Sequence, residues 1–390
     1  MPVLTGLRVI DLSQMWAAPG IGMYLGDQGA EVIKIEPPQG DMSRGLGTTP
    51  YLKENSKSYM VVNRNKRGMA VDIRKPAGRE VVVKLVETAD VVIENSRPGV
   101  AERLRIGYDD LSAVNPRLIY CSVSGYGRKG PYAERPAYDR ILQGLAGVMY
   151  RKMPDGMPIS AGVWVADCSV PMLMCYGVML ALWEREKTGL GQRVSSSLLQ
   201  AAVAMQSVDL VLAEDDPTPE PEGANPTYGA YKCADGAYIN ISALADHQFA
   251  RLLSALDLEH LNQDPRAKDP TQKMQFRAEV YQLFEGLFET RPFDEWLKLL
   301  HEADIPAGPI LDRKQVFDEP QILANDMLVR THHPAAGRVK MLGVPLELSR
   351  TPGAIQRHAP GLGEHTEEVL KELGYTDADI AGLRAEAVIR

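Results

Sequence analysis

The sequence predicts an α/β protein whose larger part is a doubly wound parallel sheet. Three observations carry that reading: β-rich apolar runs alternate with amphipathic stretches through the first half, an acidic proline-rich interruption follows, and a strand-turn-strand signal with helical patterns comes after it.

The β-rich runs are GLRVIDL (6–12), AEVIKIE (30–36), DVVIENS (90–96) and RLIYCSVS (117–124). Between them lie amphipathic stretches at 20–29, at REVVVKLVETA (79–89) and at 100–111. Strands and helices alternating at this spacing are the signature of βαβ units. A Gly/Pro-rich passage, SGYGRKGPYAERPAYDR (124–140), leads to a long helix opened by AGVWVADCSVPMLMCYGVMLALW (161–183), which stops near KTGLGQ. Residues 214–226, EDDPTPEPEGANP, read as an extended linker. Beyond it, Asp235-Gly236 in YGAYKCADGAYINIS marks a hairpin, and three helical patterns complete a small α+β domain. The expected organisation is a large domain over 1–213, a small one over 226–310, an irregular stretch past Ile310, and a part over 330–390 whose helix closes at Gly374.

Composition narrows the function. With 43 basic and 51 acidic residues the formal charge is −8, which argues against nucleic acid or an anionic membrane as partner. The start, MPVLTGLRVIDLS, lacks the pattern of a secretory leader, and Asp167, Ser169 and Pro171 interrupt the one apolar run long enough to span a bilayer. Cys121, Cys168, Cys175 and Cys233 include no CxxC pair, so reduced packing cysteines, a cytoplasmic location and no metal site are expected.

Four features bear on chemistry. Gly20, Gly22 and Gly26 form a GxGxxxG run after the first strand, with Glu36 ending the next; a dinucleotide site is one reading and close helix packing the other. Basic residues gather where loops leave the sheet, at Arg64, Lys66, Arg67, Arg97, Arg103, Arg105, Arg128 and Lys129, and as a set they point to a phosphate-bearing ligand. The first of seven histidines is His247, which excludes a Ser-His-Asp or Cys-His arrangement within the first half. The fourth is Asp167, the lone charged group in the 161–183 run. Either it or Ser169 caps the helix, with Pro171 in the first turn, or it is a nucleophile, and the two roles are compatible.

The motifs GLRVIDLS, MYLGDQGAEVIKIEPPQGD, NRNKRGMAVDI, IENSRPGV, SVSGYGRKGPY, RPAYDRILQGLAG, VADCSV, REKTGLGQRV and PGLGEHTEEVL resemble, over about residues 4–372, the family III CoA-transferases, the formyl-CoA:oxalate and carnitine CoA-transferase group. The resemblance implies a Rossmann-like large domain built from both chain ends, an inserted small domain, and two chains interlocked as a homodimer, with a paralogous partner subunit as the variant. It implies a CoA thioester as substrate with no permanently bound cofactor, and CoA moved from an acyl-CoA to a free carboxylic acid. Asp167 falls on the nucleophile, which forms an acyl anhydride and then an aspartyl-CoA thioester. Trp16, Ala17, Lys66, Arg67, Asn95 and Arg103 fall on positions near CoA, and Tyr138, Asp139 and Gln143 on the lining of the active site.

The chain departs from the formyl-CoA enzymes in having Trp16 for Gln and Pro37 for Arg, and EGANPTYGAY in place of a glycine-rich loop. These departures point away from oxalate; Trp16 and Met149 suggest a more apolar pocket, and Arg140 and Tyr138 are candidates for a second carboxylate, so a dicarboxylic or branched acid is expected, with succinyl-CoA as the family's common donor. Racemases of 2-methylacyl-CoA esters share the fold, but they use a His-Asp pair where this chain has Tyr138-Asp139. A dinucleotide-dependent oxidoreductase and a non-catalytic CoA-binding subunit are the remaining alternatives.

Overall fold

The computed structural model describes residues 1–52, 55–215, 225–267, 269 and 272–390. Most of the expected linker, at 216–224, lies outside the described residues. The chain forms two compact units, one of Met1–Leu212 with Gln321–Arg390, the other of Ala213–Pro320.

The larger unit runs β1 (Arg8–Asp11), α1 (Ala17–Asp27), β2 (Glu31–Glu36), α2 (Lys57–Val62), β3 (Lys66–Ala70), α3 (Pro76–Val86), β4 (Val91–Glu94), α4 (Val100–Arg103), α5 (Tyr108–Val114), β5 (Ile119–Ser124), α6 (Asp139–Leu145), α7 (Val165–Thr188), β6 (Arg193–Ser197) and α8 (Leu198–Ala204). Its six strands are parallel in the order β3-β2-β1-β4-β5-β6, so the connection reverses direction between β1 and β4. Alternate residues of each strand face opposite layers. Val9, Val32, Val91 and Ile119 pack with residues of α1, α7 and α8, while Ile10, Ile33, Val92 and Tyr120 pack with residues of α3 and the chain's C-terminal end. Both faces are buried, which is why these strands read as continuous apolar runs.

The smaller unit holds the hairpin β7 (Tyr228–Lys232) and β8 (Tyr238–Ser242), α9 (Asp246–Ala255), α10 (Lys273–Phe288), α11 (Phe293–Glu302) and β9 (Ala307–Pro309). Gly236 takes φ +84° in the hairpin turn, and the Asp235 carboxylate accepts the Ala237 and Phe293 amides. Tyr231, Phe284, Phe288 and Trp296 form its aromatic core.

After α12 (Pro320–Ala324), the chain adds a hairpin, β10 (Leu328–His333) with β11 (Gly337–Leu342), then α13 (Thr366–Glu372) and α14 (Asp377–Ala385). The large domain is therefore built from both chain ends. The tail covers the exposed edge of β3: the Thr366 hydroxyl accepts the Ala70 amide at 3.1 Å, the His365 amide donates to Gly68 at 2.9 Å, and Arg67 pairs with Glu368 and Glu372. The stretch expected to be irregular past Ile310 contains β10 and β11, and α14 lies beyond the expected last helix.

Among the described residues α7 is the helix long and apolar enough to cross a membrane, with a mean hydropathy of 1.7 over 18 residues. One face, with Ala166, Val170, Met174, Val178 and Ala181, is buried in the core with α1, and Arg185 on that face pairs with Asp90 at 2.9 Å. The other face exposes Met172, Tyr176, Leu180 and Trp183 at helical spacing.

Candidate active site

A cleft of about 410 Å³ opens where β1, β4 and β5 end. Its walls include Gln14 to Ala17 after β1, Asn95 to Pro98 after β4, and Ser124 and Gly125 after β5, with Tyr138 and Asp167. This is the C-terminal edge of a parallel sheet at its switch point, where loops diverge and leave a crevice.

The loop after β1 is held rigidly. Asn95 accepts the Gln14 amide and donates to the Gln14 carbonyl, at 2.9 and 2.8 Å, and the Asp41 carboxylate accepts the Met15 amide. Met15 takes φ +71°, an unfavourable left-handed conformation that these bonds sustain. Trp16 follows as the residue before α1 and stacks on Trp164, the residue before α7, with ring centroids 4.3 Å apart. Two helix N-termini thus meet beside the cleft. The amides of Ala17 and Ala18 precede any helical acceptor, and no backbone or side-chain acceptor serves them among the described residues.

Asp167 sits in the first turn of α7, half-buried in the cleft wall. Neither it nor Ser169 caps the helix, contrary to expectation. The cap comes from another helix: the buried Asp139 carboxylate accepts the Ala166 and Asp167 amides at 2.8 and 3.2 Å. The Ser169 hydroxyl instead donates back to the Val165 carbonyl at 2.6 Å. Pro171 also lies deeper than the first turn, inside the helix, and lacks the N–H that would bond the Asp167 carbonyl four residues earlier. The Asp167 carboxylate has no ion pair or hydrogen bond among the described residues. Burial, and secondarily the negative charge of Asp139, raises its pKa to about 7.

The other anticipated residues divide. Trp16, Ala17, Asn95 and Tyr138 line the cleft. Asp139 and Gln143 stand behind it rather than lining it: Gln143 is buried, donates to Asp139 and to the Val163 carbonyl at 2.8 Å, and accepts the Ala161 amide, fixing the segment that enters α7. Arg103 is exposed on α4 and does not line the cleft.

Lys66 and Arg67, expected near CoA, do not line the cleft. Lys66 is fully buried, with its ammonium on Asp11 at 2.7 Å, on the Pro19 carbonyl and on Asn63. Arg67 is committed to Glu31, Glu368 and Glu372. Neither charge faces the cleft, because short β3 carries both into the fold. The guanidiniums that do line the cleft are Arg97 and Arg135, both exposed. Arg135, Trp164 and the Ser124-Gly125 turn were not singled out from sequence; the Gly/Pro-rich passage at 124–140 was the available signal.

The glycine run does not form a phosphate loop. Gly20, Gly22 and Gly26 all lie inside α1, and a Cβ at each would meet Pro171, Asp11 with Lys66, and Asn65 at 3.0–3.1 Å. They allow close packing of α1, and the dinucleotide alternative loses its motif.

The model for CoA-transferase family III matches residues 4–366. The chain is 34% identical to human succinyl-CoA:glutarate CoA-transferase, over 99% of this chain and 90% of that protein. It is 36% identical to the succinyl-CoA–L-malate CoA-transferase beta subunit of Chloroflexus aurantiacus, over 99% and 98%. Among solved structures, a CAIB/BAIF family protein from Brucella suis superposes with a TM-score of 0.81 at 33% identity, covering 95% of this chain and 99% of that one.

Proposed function

The chain belongs to CoA-transferase family III, and from that membership we propose that it moves CoA from an acyl-CoA thioester to a free carboxylic acid through covalent intermediates on Asp167. The observation that carries the proposal is the unpaired, half-buried Asp167 carboxylate in a cleft at the sheet's switch point. A carboxylate oxygen attacks the thioester carbonyl, and the tetrahedral adduct collapses with cleavage of the C–S bond, releasing CoA as thiolate and leaving a mixed anhydride on Asp167. The thiolate then attacks the aspartyl carbonyl, expelling the acyl group as a carboxylate and leaving an aspartyl-CoA thioester. The acceptor carboxylate repeats both steps in reverse.

An ordinary Asp, of pKa about 3.9, expels a thiolate of about 8.5 against a gradient of more than four units. Raising Asp167 to about 7 removes most of that gradient, which is what burial beside Asp139 achieves. The free amides of Ala17 and Ala18, at the positive end of α1, are suited to the oxyanion. Arg97 and Arg135 are suited to CoA phosphates or to the far carboxylate of a dicarboxylic acid. Relatives named for succinyl-CoA support succinyl-CoA as donor and a dicarboxylate as acceptor. The exposed apolar face of α7, together with Tyr150, Met157 and Trp164, supports a dimer in which it is covered. A homodimer is the simpler arrangement, and a relative named as a beta subunit keeps the paralogous pair in play. The cysteines, free among the described residues, fit a cytoplasmic enzyme.

The test is peptide mass spectrometry after mixing with a small acyl-CoA panel and trapping with hydroxylamine. A hydroxamate on the Asp167 peptide, absent from Asp167→Ala, is expected with succinyl-CoA. Exchange of an acyl α-proton for deuterium without any Asp167 adduct would replace the transferase mechanism with racemase-like chemistry.

A further inference from the structure

A second cavity of the larger unit, about 280 Å³, shares no lining residue with the Asp167 cleft. It lies between the β10–β11 hairpin and residues 355–359, and no Asp or Glu lines it. Its polar lining includes Arg64, Arg330, Arg357 and three histidines, His332, His333 and His358.

These groups differ in how far they are already satisfied. Arg64 is spent on Asp27, at 3.0 and 2.7 Å, and on carbonyls of Leu342 and Gly343 that anchor the hairpin. Arg330 and Arg357 make no ion pair or side-chain hydrogen bond among the described residues, and the Arg357 backbone is fixed by Asn65 at 2.9 Å. His358 Nδ1 donates to the Ala359 carbonyl at 2.9 Å, and its far nitrogen lies 4.0 Å from Glu364. His333 is the informative one. It is only 6% exposed, and its Nδ1 accepts the Ala335 and Ala336 amides at 3.2 and 3.3 Å. That places the proton of the neutral ring on Nε2, which is buried without a hydrogen-bond partner. The Ala359 carbonyl, which accepts from His358 Nδ1, approaches this ring without reaching hydrogen-bond geometry at Nε2. A buried N–H without an acceptor is uncommon and calls for one.

We propose that this cavity binds a small multivalent oxyanion, a di- or tricarboxylate or a phosphate, held between Arg330 and Arg357 with His333 Nε2–H donating to it. Guanidiniums match carboxylate and phosphate oxygens in planar, two-point contacts, and an anion relieves the repulsion between two unpaired cations in one concavity. The cationic lining disfavours a metal ion. The proposal stands independently of the chemistry at Asp167.

The test is thermal unfolding of the full chain in citrate or in inorganic phosphate, each against sodium chloride of equal ionic strength. A saturable rise in Tm of several degrees is expected, lost in Arg330→Ala/Arg357→Ala and kept in Arg97→Ala/Arg135→Ala, whose guanidiniums line the other cleft. A response to citrate alone assigns a carboxylate ligand; a response to phosphate alone assigns a phosphate. In the wild type, histidine Cε1–H resonances of His333 and His358 should shift on saturation, a readout that needs no variant to fold. No rise above chloride, a rise that survives the Arg330/Arg357 substitutions, or unmoved histidine resonances would overturn the proposal.

Discussion

Asp167 is a residue whose environment works against its charge, and that has separable consequences. Its pKa of about 7, against 3.8 for an ordinary Asp, means that the nucleophilic form grows in as pH rises, so kcat/KM should climb through a limb centred near pH 7. Asp139→Asn removes the second cause of that shift while its amide oxygen can still cap α7; the limb should move to lower pH, which a pH-rate profile would read. Stability follows the opposite sign. A carboxyl whose folded pKa is raised favours the fold fully only below its unfolded pKa near 4, and that contribution is lost as pH rises through about 7. Asp167→Asn should therefore raise the unfolding free energy at pH 8 by about 1–2 kcal/mol, less than the unscreened shift implies because the group is partly exposed, and by almost nothing at pH 4, which chemical denaturation at the two pH values would read. The same variant should lose at least about a thousandfold in transfer rate, as expected of a nucleophile. Lys66 makes the contrasting case. Lys66→Met strands the buried Asp11 carboxylate and should cost about 3–5 kcal/mol, whereas Arg97→Ala should leave Tm unchanged and raise KM for the acyl-CoA. Chemical denaturation and steady-state kinetics on the two variants would separate the structural cation from the ligand-facing one.

At the scale of elements, the site depends on how α1 and α7 fit. Gly20 leaves the space that Pro171 occupies, and Pro171 lies one turn beyond Asp167. Gly20→Val should press on that ring and cost about 1–3 kcal/mol by overpacking, with kcat falling more than KM rises if α7 carries the proposed nucleophile. The strands β1, β2, β4 and β5 and the helix α7 were legible because both-face burial writes an apolar run and because Gly189, at φ +75°, closes α7. Strand β3 was not, since KRGMA hides two cations whose partners, Asp11 and Glu372, are distant in sequence. The β10–β11 hairpin escaped for a related reason: LVRTHH and GRVKML are half-buried and lack a clean alternation. Asp167 stood out as a lone charge in an apolar run, whereas the role of Asp139 as its cap and electrostatic partner is a tertiary contact across 28 residues that no local pattern encodes.

At the scale of the whole molecule, α7 poses the question of what covers its outer face. Met172, Tyr176, Leu180 and Trp183 are 50–67% exposed along one helix, and Tyr150, Met157 and Trp164 are exposed as well. Scattered apolar residues on a surface require no explanation, but a contiguous stripe of this size marks an interface. The interlocked pair that the family resemblance implies would give that stripe a partner and link association to folding, because threaded chains separate only by unfolding. Two measurements follow. On dilution to nanomolar concentration, light scattering or native mass spectrometry should still find a dimer, and loss of the dimer should coincide with loss of circular dichroism. Leu180→Glu should give an insoluble or unfolded chain, since a charge forced into a buried interface costs several kcal/mol. A soluble Leu180→Glu monomer with native circular dichroism would show that α7's outer face is free and that each chain folds alone, and the interlocked arrangement would then be wrong even if the transfer chemistry at Asp167 stood.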